Sequence, residues 1–194
     1  WAKTTDGSGN TFIEDVFTAK KTVRELIGVD PNVMVMDQDT FDNICQEYTV
    51  LERIKYSFSG GQPAIVTPNL IAQLFGLDEV LVGRAIYSSD EETVAGTEFT
   101  AVKMWETNAT KGSCLLLYRT PAPALDEPNA GYIFEWTGGI AGDLAAKEGG
   151  DAYRTVRRWY DEKIKSWWVE GAEYFDEKVT CADAGYLFTD TILT

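Results

Sequence analysis

The sequence predicts an α+β fold, and three observations carry that prediction. Apolar residues recur at helical spacing through the first 76 positions, broken by one short apolar run that reads as a strand. From Glu79 onward the apolar runs shorten and are bounded by turn-forming residues, as strands require. Helices come first and strands later, without the regular alternation of a parallel α/β protein, and there are no internal repeats.

The elements follow in order. Residues 1–10 carry Asp6-Gly7-Ser8-Gly9-Asn10 and read as a linker. A helix then runs from Phe12, with Thr11 or Asn10 as its cap and Glu14 and Asp15 opposing the helix dipole in the first turn. Its apolar stripe is Phe12, Ile13, Val16, Phe17, Val23, Leu26 and Ile27; Gly28 suits a left-handed stop and Pro31 blocks continuation. Val33-Met34-Val35-Met36 reads as a short buried strand. A second helix is expected at about Asp39 to Glu47, with Phe41, Ile44 and Cys45 inward. Phe58 to Pro63 reads as an exposed loop. Thr67-Pro68 opens a third helix, proline at the first helical position, and Gly76 ends it. Val80 to Tyr87, Ser113 to Tyr118 and Gly131 to Trp136 read as strands, with an acidic excursion at Asp90-Glu91-Glu92. Thr137 to Gly150, rich in Gly and Ala, reads as a mobile loop. Tyr153 to Tyr174 interleaves charges with Trp159, Tyr160, Trp167 and Trp168, and Ala184 to Phe188 ends in a short strand.

Composition excludes several classes of function. With 31 acidic and 17 basic side chains the net charge is -14, which repels phosphate backbones and anionic membrane surfaces. That acidity sits in the first 152 residues; beyond them the charges nearly balance, and balanced charge with exposed aromatics suits a surface that meets other subunits. No apolar run approaches the roughly 20 residues that span a bilayer, and Trp1 to Asn10 lacks the apolar centre of a signal peptide, so a soluble, cytosol-made protein is expected. Cys45, Cys114 and Cys181 are odd in number and widely spaced, and read as free thiols in a reducing compartment. Asn108-Ala109-Thr110 matches a glycosylation sequon but has no secretory context. Because Trp1 is not an initiator methionine, an upstream segment or a trimmed product is expected.

Candidate chemical sites do not survive inspection. The chain has no histidine, which removes the commonest general base and the commonest transition-metal ligand. Asp37, Asp39 and Asp42 have alternating spacing, but a calcium loop also needs a Gly and a distal Glu, so they read as helix-capping carboxylates. Gly7-Ser8-Gly9 and Gly138-Gly139-Ile140-Ala141-Gly142 lack the Lys-Ser/Thr of a phosphate-binding loop and read as plain loop. Six tryptophans suggest a carbohydrate platform less well than a core or subunit interface; Trp167 and Trp168 in a strand are expected to point to opposite faces, one into the core and one outward. Cys114 heads an apolar strand without an activating neighbour and reads as a buried small hydrophobe. No cofactor and no metal is expected.

Four segments in order resemble the major capsid proteins of tailed phages. The first runs from Phe12 to Gly28, through Pro31-Asn32 into Val33 to Met36, and on through Phe41 to Tyr48 and Arg53-Ile54-Lys55. Leu74 to Tyr87, Gly131 to Trp136 and Asp176 to Leu187 resemble the other three, so the likeness covers nearly the whole chain. The resemblance implies a Hong Kong 97-like fold, with residues 11–152 as the axial domain and 153–194 as the C-terminal part of the peripheral domain. The family's N-terminal arm, extended loop and spine helix would all lie before Trp1 and are absent from this sequence. No cross-linking Lys or Asn can be matched to the family.

The implied function is structural and non-enzymatic: a major capsid subunit that self-assembles into pentamers and hexamers of an icosahedral head enclosing the genome. The subunit would be made in the bacterial host cytoplasm and reside in the virion. Its expected partner is itself, with a scaffolding protein as a further one, and no membrane or sequence-specific nucleic acid. Candidate inter-subunit loop residues are Ser57, Phe58, Gly60, Gly61, Gln62, Gly138, Gly139 and Asp143; candidate inter-subunit aromatics and charges are Arg157, Arg158, Trp159, Trp167 and Trp168. Two alternatives stand beside this reading: an encapsulin-like compartment shell, and an aromatic-rich module that binds a glycan or peptide.

Overall fold

The structure is a computed structural model; it describes residues 1, 11–57, 65–88, 101–105, 112–124, 126–135 and 154–192, the side chains of Tyr56, Ser57, Arg154, Thr155 and Arg157 excepted. The expected loops Phe58 to Pro63 and Thr137 to Gly150, the acidic excursion and the sequon lie outside the described residues. The chain divides into two compact units, Trp1–Ala130 with Cys181–Thr194, and Gly131–Thr180. The resemblance implies a division into axial and peripheral parts between residues 152 and 153, which is a different partition from these two units. The two units follow strand pairing, which joins the last fourteen residues to the first unit.

The first unit begins with helix α1, Phe12–Ile27, which ends on Gly28 in the left-handed region at φ 76°. Thr11 stands at its cap position, but its hydroxyl hydrogen-bonds the Asp15 carboxylate at 2.6 Å instead of a helix N–H. Strand β1, Val33–Asp37, runs directly into helix α2, Gln38–Cys45, because Asp37 serves as N-cap and accepts from the Thr40 N–H. Helix α3, Tyr48–Ser57, was not anticipated as a separate element. Its start is organised by Glu47, whose buried carboxylate accepts from the backbone and hydroxyl of Thr49, both at 3.2 Å. Helix α4, Pro68–Phe75, has the expected Thr67 cap and the left-handed Gly76 stop. Its last carbonyl, Phe75 O, accepts from the buried Lys20 ammonium at 2.7 Å, which supplies a cation where a helix end leaves orphan acceptors.

The single strand expected from Val80 to Tyr87 is two, β2 (Glu79–Gly83) and β3 (Ile86–Ser88), the latter paired with β4 (Ala101–Lys103). The break is at Arg84-Ala85, where Arg84 turns aside to donate to Gln38 at 2.6 Å. Strand β5 is Ser113–Leu117. In the second unit lie β6 (Gly131–Glu135), β7 (Arg154–Asp161), β8 (Ser166–Glu173) and β9 (Phe175–Val179). A short 3-10 turn, Ala182–Ala184, leads to β10, Gly185–Thr189.

The first unit is built on a four-stranded sheet ordered β10-β5-β1-β2, parallel between β1 and β2 and antiparallel elsewhere. Residues opposite one another across the strands share a face. One face therefore carries Val80, Met34, Leu116 and Tyr186, then Val82, Met36, Cys114 and Phe188. This face meets the helices: Phe12, Val16, Ile44, Val50, Ile54, Ile71 and Phe75 join Met34, Met36 and Leu116 in one buried cluster. Each fully buried side chain of this size contributes about 1.5–3 kcal/mol. The Pro-Asn turn named in the resemblance has a mechanical role here. The Asn32 side chain donates to Asp78 and to Arg119 O, both at 2.9 Å, and accepts from Arg119 N at 2.8 Å, so it binds the starts of β1 and β2 to the end of β5.

Cys45, Cys114 and Cys181 are free thiols. Burial, with Asp37 as a lesser cause, pushes the Cys114 thiol far above its ordinary range. Burial and then Asp42 push Cys45 up to about 11. At pH 8 the Cys45 thiolate fraction is thus about 100-fold below that of an ordinary thiol, and alkylation mapped by mass spectrometry is expected to mark it slowly and Cys114 only on unfolding. The linkage has a definite sign. Above pH 9 the unfolded chain releases these protons and the folded chain keeps them, so stability falls as pH rises beyond about 9. Urea midpoints at pH 8 and pH 10.5 check this, and Cys114→Ala should make the fall shallower.

Candidate inter-subunit surfaces

The second unit contains two antiparallel ladders, β6 with β9 and β7 with β8. On one side of the ribbon a single residue, Tyr174, joins β8 to β9. The β7–β8 turn is closed by the Asp161 carboxylate, which accepts from Lys163 N at 2.9 Å, and by Lys165 in the left-handed region.

Strand alternation fixes what each face of β7–β8 presents. One face holds Val156, Arg158, Tyr160, Trp167 and Val169; the other holds Trp159, Trp168 and Glu170. The rings are organised across the ladder. Trp159 and Trp168 lie nearly parallel with centroids 6.4 Å apart, Tyr160 and Trp167 meet at 5.2 Å, and the Arg158 guanidinium stands 4.2 Å above the Trp167 ring. Neither face enters a core. Trp167 is 59% exposed, Trp168 48%, Val156 67% and Val169 66%. This corrects the expectation that one of Trp167 and Trp168 points into a core: both are exposed, and among the described residues no second layer packs on the ribbon to make one. Ile133, Phe134, Phe175 and Val179 on the β6–β9 ladder are exposed as well.

A two-stranded ribbon is marginal in water on its own, and contiguous exposed aromatics mark surfaces that meet a partner. The structure brings Arg158, Trp159, Trp167 and Trp168 onto this one ribbon. Arg157 is on β7 opposite Glu170, its side chain not described. Ser57 ends α3 instead of lying in a loop. Phe58, Gly60, Gly61, Gln62, Gly138, Gly139 and Asp143 lie outside the described residues. Sequence reasoning noted Tyr160 only as one of the segment's aromatics and missed Val156 and Val169, although the alternation Val156-x-Arg158-x-Tyr160 was available as a signal.

The carboxylates once considered for calcium are engaged elsewhere. Asp37 accepts from Thr40 and from Ser113 N, Asp42 accepts from Gln38, and Asp39 pairs with Lys103. Among the described residues no group of three His, Cys, Asp or Glu side chains is placed to hold a metal, and no described helix is long and apolar enough to cross a membrane.

The chain is therefore mixed α+β, and among the described residues the β7–β8 ribbon of the second unit carries exposed aromatics, a surface suited to association. No family model matches it. The chain is similar to the major capsid protein of Burkholderia phage BcepMu, 29% identical over 181 residues that cover 91% of this chain and 48% of that protein. Its fold is that of a phage-related protein from Bordetella bronchiseptica RB50, with a TM-score of 0.67 and 22% identity over 92% of this chain and 50% of the other. The resemblance to phage major capsid proteins, read from four ordered segments, thus extends along nearly the whole chain, which spans about half the length of the relatives it matches.

Proposed function

We propose that this chain is the shell-building part of a phage major capsid subunit with a Hong Kong 97-like fold, acting by repeated self-association and not by catalysis. The observation that carries the reading is the similarity to the BcepMu major capsid protein over 91% of the chain. The exposed ribbon supports it, because an apolar two-strand element is stable only when covered. On this reading the subunits form pentamers and hexamers of an icosahedral head, in the virion, after synthesis in the bacterial cytoplasm and with a scaffolding protein as helper. The helix-backed sheet, residues 11–130 with 181–192, would be the axial body. The test is sedimentation of the full-length parent, expressed alone and with its scaffold. Capsomer- or shell-sized species are the expected result; a persistent monomer under both conditions would overturn the proposal.

A further inference from the structure

The sheet of the first unit has a second face, opposite the helices. Its central row crosses all four strands as Leu81, Val35, Leu115 and Leu187. Leu81 and Leu187 are exposed, at 39% and 51%, and Val35 and Leu115 are only half-buried. Among the described residues, the first unit therefore presents a partly exposed apolar strip, and the β7–β8 ribbon presents another.

We infer that the Leu81–Val35–Leu115–Leu187 row of one copy receives the Val156–Tyr160–Trp167–Val169 face of the β7–β8 ribbon of a second copy. The inference rests on the capsid reading and names the contact within it. Symmetry supplies the first reason. A patch that pairs with itself closes a two-fold dimer, whereas a ring of five or six needs a surface that fits a different surface of its neighbour. Charge supplies the second. The first unit carries most of the acidic excess, so two bodies repel, while the segment from Arg154 to Glu173 is near neutral, with five basic and four acidic side chains, and is not repelled. Geometry supplies the third. Sheets pack face to face about 10 Å apart through interleaved apolar side chains; both strips are stranded and mainly apolar, and the charge on the ribbon face, Arg158, lies over the Trp167 ring.

The test uses the full-length parent with p-benzoylphenylalanine in place of Trp167, assembled from a mixture of isotopically light and heavy subunits and irradiated. Expected are light-to-heavy cross-links from position 167 into residues 33–37, 79–83, 113–117 or 185–189. Cross-links to another ribbon, to any other segment, or within one chain overturn the inference, as does their absence from assembled shells; none of these touches the capsid reading. Leu187→Glu is the second arm. Its side chain is half in solvent, so the melting midpoint should stay and assembly should be lost; normal shells from this variant would overturn the docking. Failure of the unsubstituted parent to assemble is a separate result, which removes the capsid reading and the docking together.

Discussion

On the proposed capsid reading, Val169→Asp in the full-length protein is expected to leave a folded subunit that fails to build shells. Val169 is 66% exposed on the ribbon face that also carries Tyr160 and Trp167. Substitutions at such positions change stability by only about 0.5 kcal/mol, so circular dichroism melts should coincide with the parent's. Assembly is different, because every copy carries the change and every repeated contact pays for it. An unpaired carboxylate placed in a covered apolar contact costs about 2 kcal/mol or more, or about 30-fold in each contact constant. Trp167→Ala should act in the same direction, losing the Tyr160 and Arg158 ring contacts as well. Coincident melts with unimpaired shells would mean that the ribbon is not an interface.

Asp37→Ala should produce the largest loss of stability, about 3 kcal/mol. Asp37 is 1% exposed where β1 turns into α2. Its carboxylate caps α2 through Thr40 N at 3.0 Å and accepts from Ser113 N at 3.0 Å, which fixes the start of β5. The Thr40 hydroxyl, bonded to the same carboxylate, meets the Thr191 hydroxyl at 2.7 Å, so the residues after β10 join the same node. Alanine removes the cap and leaves these donors facing a dry interior. For a chain of this size the loss corresponds to a fall in melting temperature of about 6–12 °C. Gly112→Ala should injure the same node from outside. Gly112 has φ +61°, and an added Cβ would sit against Thr40 Oγ1, 2.7 Å from Thr191 Oγ1 and 2.9 Å from Ile192. Urea denaturation of both variants measures the effect, and midpoints equal to the parent's would show that the node does not hold the C-terminal strand.

The local half of this architecture was legible in the sequence. Gly28 and Gly76 end α1 and α4 at the positions their left-handed geometry requires, Thr67-Pro68 opens α4, and Val33 to Met36 form the central strand. Helix α3 was hidden because its start uses Glu47 instead of a Ser, Thr, Asp or Asn cap, although Val50 and Ile54 keep the i, i+4 spacing of a buried stripe. Pairing between distant segments leaves no local trace. Nothing in Gly185 to Thr189 announces that it returns to Ser113 to Leu117 and completes the sheet of the first unit. The ribbon shows the opposite limit. Its aromatics were conspicuous and its pattern was strand-like, but alternation with apolar residues in both frames gives no hint whether a core or a neighbour covers them.

Electron microscopy of the full-length protein, expressed alone and with a candidate scaffolding protein and imaged at a resolution that traces the chain, tests the proposed capsid role most directly. The account predicts closed icosahedral shells whose pentamers and hexamers repeat the four-stranded, helix-backed body, with each β7–β8 ribbon covered by density from an adjacent copy. Monodisperse single subunits, or shells in which the ribbon stands free in solvent, would contradict it.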